Sequence, residues 1–318
     1  MRSSPTTGPD AETIARAART LRGGGLVAFP TETVYGLGAR ADATTAIARL
    51  YAVKGRPAAN PLIVHVASVD AALRLAPFEA RARDLAAAFW PGPLTLVLPR
   101  FPASEVVPTV SAGLPSLAVR VPSHPVALAL LTKVDLPIAA PSANRSGRVS
   151  PTRAEHVKAQ LGERVDAILD AGASAIGLES TVVSLLGADA AILREGAIER
   201  AAIERVIGPL RAAAPGPAHA PGMGQSHYAP TRKLRLNAEA PRPGEAFLGF
   251  GPGAPNEALN LSPSGDLAEA AANLYASLIA LDRPEYEAIA VMPIPEHGLG
   301  VAINDRLRRA AAPRGDGA

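Results

Sequence analysis

Cysteine is absent from this 318-residue chain. Disulfides, thiolate catalysis and cysteine-ligated zinc are thereby excluded. The six histidines are dispersed and form no HExxH, and neither GxSxG, GxxxxGKS/T nor a helix-opening GxGxxG occurs. Zinc hydrolysis, serine hydrolysis, an ordinary P-loop and an ordinary dinucleotide fold each lack their usual signature. Aromatic residues supply 4% of the chain, little material for the base-stacking platforms of an RNA-binding module. Pro, Gly or charge breaks every apolar stretch before ~18 residues, the length a membrane helix needs. The opening MRSSPTTGPD has no basic run leading into an apolar one. A soluble, cytoplasmic protein without a membrane segment is the expectation.

What is present is 48% hydrophobic content over a length that suggests two domains. The formal charge is +3, with 28 arginines against four lysines. That mild basicity suits an enzyme better than a nucleic-acid coat, although a local basic surface could still meet RNA.

Ile14, Ala17, Ala18 and Leu21 recur at helical spacing, so a helix is predicted over 11–22, with Asp10 as N-cap and Gly23 to Gly25 as its stop. LVAFP (26–30) then reads as a short buried strand, 43–55 as a helix and PLIVHV (61–66) as a strand. Further strands are expected over 94–100, 116–122, 137–142, 165–172, 180–186 and 190–196, and helices over 78–90, 125–132, 153–161 and 199–207. Several strands follow one another without a helical crossover. One twisted mixed sheet is therefore expected rather than a regular doubly wound one. The Pro- and Gly-rich stretch that follows reads as a linker, in which GQSHYAP gathers Ser226, His227 and Tyr228. Strand and helix signals alternate again beyond it, in a smaller α/β domain.

Polar residues collect at the strand ends. Thr31, Glu32, Thr33 and Tyr35 follow LVAFP, where α/β sheets bind ligands, or they merely cap a helix start. In KGRPAANPLIVH, Lys54 and Arg56 bracket a constrained turn and suit a polyphosphate, unless they only offset a helix dipole. Asn60 shapes that turn or meets a ligand, and His65 lies on the face opposite Val64 and Val66. Arg120, alternating with Val119 and Val121, needs a partner, which a substrate carboxylate or a surface ion pair would supply. Ser142, Asn144 and Ser146 in APSANRSG, Glu179 and Ser180 in LESTVVS, and Arg194 in LREG add short hydroxyls, amides and a cation. Together they describe an enzyme that binds a nucleoside triphosphate and a small anionic partner. The reaction class stays open on these grounds, and an RNA-binding module is the alternative.

KGRPAANPL, SLAVRVPSHP, APSANRSG and LESTVVS together resemble the threonylcarbamoyl-AMP synthases of the YrdC-like superfamily, and GMGQSHYAP with a small domain after it is similar to their long form. The resemblance implies a YrdC-like catalytic domain over 10–210, with a twisted mixed β-sheet and surrounding helices. It further implies a linker over 211–237 covering the active site and a small Rossmann-like α/β domain over 238–318. The implied activity is that of a nucleotidyltransferase making L-threonylcarbamoyladenylate and pyrophosphate from L-threonine, bicarbonate or CO2 and ATP, for N6-threonylcarbamoyladenosine at tRNA position 37. The threonine amine would capture CO2, and the carbamate oxygen would attack the α-phosphorus. On that resemblance Lys54 and Arg56 are catalytic and bind ATP together with Asn60, Ser142, Asn144, Arg194 and Tyr228. Thr31, Tyr35, His65, Arg120 and Ser180 surround threonine, Arg120 fixing its carboxylate. Mg2+ is expected with ATP but without a protein-only cage. A separate threonylcarbamoyl transferase would carry the product to tRNA, and there is room for weak tRNA binding.

Overall fold

The computed structural model describes residues 8–212 and 227–313. Ser226 and the glycines of GMGQSHYAP lie outside the described residues. Helix α1 (Ala11–Arg22) starts where the Asp10 carboxylate accepts a bond from the Thr13 N–H at 2.8 Å, and it buries Ala17, Ala18 and Leu21. Strands β1 (Val27–Phe29) and β2 (Gly36–Arg40) form an antiparallel pair. Helix α2 (Thr44–Lys54) ends at Gly55, whose φ of 60° is the left-handed cap that glycine accepts without strain. Strand β3 (Ile63–His65), helices α3 (Val69–Leu73) and α4 (Ala80–Phe89), and strands β4 (Leu94–Pro99) and β5 (Ser116–Arg120) follow. Then come α5 (Pro125–Val134), β6 (Ile138–Ala139), α6 (Ala154–Leu161), β7 (Ala167–Ile168), β8 (Thr181–Ser184), β9 (Ala191–Arg194), α7 (Arg200–Ile207) and β10 (Arg211–Ala212).

These strands form one ten-stranded sheet in the order β10-β9-β8-β4-β5-β3-β6-β2-β1-β7. It is mixed, as expected, and its directions bring the polar strand ends to one edge. Parallel β3 and β5 pair His65 with Arg120 at their carboxyl ends. Because β4 runs antiparallel to β5 and parallel to β8, the start of β8 comes to that same edge. Antiparallel β9 then returns Arg194 to it, opposite Val182.

The second sheet is wholly parallel, in the order β11 (Lys233–Arg235), β14 (Ala288–Val291), β12 (Glu245–Gly249) and β13 (Leu259–Asn260). Helices α8 (Leu267–Leu281) and α9 (Leu299–Ala311) complete this Rossmann-like unit. The span 211–237 is not all linker. Its first two residues add β10 to the ten-stranded sheet, and Lys233–Arg235 forms an edge strand of the second. The two units share a core. Val34, Val149 and Leu178 of the first pack in one apolar cluster with Tyr275, Ile289 and Ile303 of the second.

Candidate active site

The shared sheet edge opens into a cavity enclosing about 510 Å³, part of it open to solvent. Thr31, Arg56, His65, Arg120, Ser142, Ser180, Arg194 and Tyr228 line it, eight residues collected from strand ends and loops far apart in sequence.

Arg120, buried in β5, donates from Nε to the Gly92 carbonyl at 3.2 Å, from Nη1 to Thr33 Oγ1 at 3.0 Å and from Nη2 to Glu32 Oε1 at 2.6 Å. A guanidinium has five N–H donors, so two remain for a ligand. Glu32 also accepts from the Ser123 N–H at 3.1 Å. Burial opposes its charge, yet Arg120 prevails and holds the carboxyl below its ordinary value. Thr31 braces the turn beside it, its Oγ1 donating to the Val34 carbonyl at 2.6 Å and lying 2.8 Å from Thr33 Oγ1. Burial pushes His65 down to about 3, with the Arg120 charge adding to the effect. The imidazole is therefore neutral. Its Nδ1 lies 3.3 Å from the Ile63 carbonyl, which can only accept, so the proton sits on Nδ1 and Nε2 is left as an acceptor.

Two further cations, Arg56 and Arg194, line the same cavity. Arg194, buried in β9, donates to the Ser180 carbonyl at 2.8 Å and to Ser180 Oγ at 3.0 Å, and that hydroxyl also meets Thr95 Oγ1 at 2.8 Å. Arg56 is braced by the Asn60 and Pro61 carbonyls at 3.2 and 3.0 Å. Burial lowers its pKa, and the Arg194 charge adds to the effect. Tyr228, fully buried with φ 63°, closes this side, its ring stacked on Tyr275 at 5.9 Å between centroids. It follows His227, whose ring lies 4.1 Å from its own. Burial and then the Arg56 charge push His227 down to about 3.

Four expected site residues do not line the cavity. Lys54 is 3% exposed and donates from Nζ to the Ser142 and Asn144 carbonyls at 2.5 and 2.6 Å, so it holds the loop after β6 from behind. Burial sets its pKa well below the ordinary lysine value. Asn144 uses Nδ2 on the Arg145 and Arg148 carbonyls, each at 2.8 Å. Its buried Oδ1 has no protein partner among the described residues. The Asn60 carbonyl accepts from Tyr51 and Arg56. Tyr35 donates to the Gly172 carbonyl at 2.7 Å, and burial pushes its phenol up to about 12.

Conversely, Thr33 and Glu179, noticed in the sequence but given no role, line the cavity together with His227. Arg306 and Tyr275, which grip Glu179 from the second unit, were not foreseen. A signal existed for Arg306. It falls on the buried face of α9 with Ile303, Leu307 and Ala310, where the helical period calls for an apolar residue.

The family model described as "Telomere recombination" matches residues 19–196, and that described as "Threonylcarbamoyl-AMP synthase, C-terminal domain" matches 198–312. The threonylcarbamoyl-AMP synthase of Bacillus subtilis is 41% identical over 324 residues, covering 95% of this chain and 93% of its own. That of Pyrococcus abyssi is 42% identical over 327 residues, covering 95% and 94%. The crystal structure of P. abyssi Sua5 complexed with L-threonine matches with a TM-score of 0.88 at 40% identity, covering 95% of each chain.

Proposed function

The chain belongs to the threonylcarbamoyl-AMP synthase family, and from that premise we propose how its cavity turns L-threonine, bicarbonate or CO2 and ATP into L-threonylcarbamoyladenylate and pyrophosphate. The observation that carries the proposal is that one cavity is lined by Arg120 at the end of β5 and by Arg56 with Arg194, the latter on β9, three strands along the same sheet. The two unused N–H donors of Arg120 receive the threonine carboxylate as a bidentate pair. Thr33 and Glu32 orient that guanidinium, and the free Nε2 of His65 accepts from the threonine amine or hydroxyl.

Arg56 and Arg194, with the Ser142 hydroxyl, hold the triphosphate. Once the threonine nitrogen has bonded to the carbon of CO2 and given up a proton to solvent, an oxygen of the resulting carbamate anion attacks the α-phosphorus and the bond from that phosphorus to the bridging oxygen breaks. Its electron pair leaves on pyrophosphate, where the two cations offset the charge. Catalysis is positioning plus electrostatics, with no covalent enzyme intermediate. Lys54 acts indirectly by fixing the loop that carries Ser142.

Among the described residues no cluster of three or more His, Cys, Asp or Glu side chains could hold a metal, and both Glu179 oxygens are already bonded. The site does not fit a protein-held ion, so Mg2+ is proposed to travel with the nucleotide phosphates. No helix among the described residues is long and apolar enough to cross a membrane. We further propose that a separate transferase takes the adenylate to tRNA.

The test is pyrophosphate release from ATP and bicarbonate with and without L-threonine, together with the mass of the product. Threonine-dependent release with the threonylcarbamoyladenylate mass is expected. Release that ignores threonine would refute the proposal.

A further inference from the structure

An ion pair at the back of the cavity has no part in the reaction just described. Arg306, 1% exposed, donates from Nε to Glu179 Oε2 at 2.8 Å, from Nη1 to Asp305 Oδ2 at 2.6 Å and from Nη2 to the Glu195 carbonyl at 2.9 Å. The same Glu179 oxygen accepts from Tyr275 at 2.8 Å, and the other oxygen accepts from Ser150 at 2.6 Å. Glu179 lines the cavity one residue before Ser180, while Tyr275 and Arg306 come from α8 and α9 of the second unit. The Arg306 guanidinium also lies 5.1 Å from the centroid of the Tyr228 ring.

Stability alone is a weak reason for such a pair, because buried ion pairs are often no better than apolar residues of the same volume. Its effect on the cavity is clearer. Glu179 sits among cations that a polyphosphate needs, and its charge and that of Arg194 act on each other. An unpaired carboxylate there would repel phosphate and compete for Arg194.

We propose that Arg306 and Tyr275 are positioning residues for nucleotide binding: they hold and neutralise Glu179 against the back wall, so that the second unit sets the charge the triphosphate meets. This rests on the triphosphate lying against Arg56 and Arg194, as proposed above.

The experiment is calorimetric titration of the full chain with ATP and, separately, with L-threonine, alongside thermal unfolding. Arg306→Met should weaken ATP binding at least tenfold and leave threonine affinity within about twofold. Adding Glu179→Gln to it should restore most of the ATP affinity, because the uncompensated charge is gone. A merely structural role predicts equal loss for both ligands and no recovery in the double variant, and that result overturns the proposal. If Arg306→Met fails to fold, Tyr275→Phe decides. It should weaken ATP binding about threefold with the unfolding temperature little changed, and an unchanged affinity overturns the proposal. The two readings fail separately. A wild-type chain that binds ATP yet makes no adenylate refutes the proposed reaction, while the affinities still judge Arg306; a chain that does not bind ATP refutes both.

Discussion

Lys54 and Arg56 stand two residues apart, and the left-handed turn at Gly55 leaves the first side chain buried and the second at the cavity. Their substitutions should therefore part company. Lys54→Met strands the Ser142 and Asn144 carbonyls, and at roughly 1–3 kcal/mol for an unsatisfied buried group it should lower the unfolding temperature measurably as well as impair turnover. Arg56→Gln removes a charge aimed at phosphate. At about 1.5–3 kcal/mol for a charge-assisted bond, ATP should bind roughly 10- to 100-fold more weakly, with the unfolding temperature lowered less than in Lys54→Met because the Asn60 carbonyl keeps its bond from Tyr51. Lys54→Met with wild-type stability and abolished ATP binding would instead put that ammonium on the phosphates. The sequence marks both as cations beside a turn, but which way each side chain points depends on the loop after β6, some 90 residues on, which no local pattern reveals. Arg120 was legible for the opposite reason. Alternation fixes its face within its own strand, and only its partners Gly92, Thr33 and Glu32 needed the fold.

At the scale of elements, the segment leading into β8 is pressed directly against α8. Gly177 has φ 74°, and a Cβ placed on it would lie 2.4 Å from the Ala271 carbonyl oxygen and 2.6 Å from the Ala272 Cα. Both obstacles are backbone, so neither can rotate away. Gly177→Ala should destabilise the protein by about 2 kcal/mol or more through strain and clash. It should also weaken ATP binding by shifting Glu179, two residues on, whereas Gly208→Ala, strained but open in space and outside the cavity lining, should leave that segment in place. Equal effects of the two substitutions on ATP affinity would show that the contact with α8 does not reach the site. Caps and periodicity located most elements of the first unit, as with Asp10 before α1. Strands β10 and β11 escaped because two or three residues carry no period, and their pairing partners, β9 and β14, lie elsewhere in the chain.

For the whole molecule, the shared core makes separate unfolding of the two units unfavourable, since parting them would expose Val34, Val149 and Leu178. Fluorescence of the single tryptophan, Trp90, in the catalytic unit should thus follow the same transition as far-ultraviolet dichroism of the whole chain. That common transition should be acid-sensitive in two stages. His65 and His227 are neutral in the fold down to about pH 3 but protonate near 6.5 when unfolded, so each contributes stability that is complete above 6.5 and lost as pH falls from there toward 3. Glu179 stays ionised to about 2 in the fold against an ordinary 4.5, and its contribution is lost between those values. Each group costs about 1.4 kcal/mol per pH unit inside its window. Denaturant midpoints should therefore fall from pH 6.5 to 4.5, and fall more steeply below 4.5. His65→Gln should flatten the first stage, and Glu179→Gln the second. A first stage unchanged in His65→Gln would mean that this imidazole takes up its proton within the folded protein, and the neutral acceptor proposed for threonine would be lost.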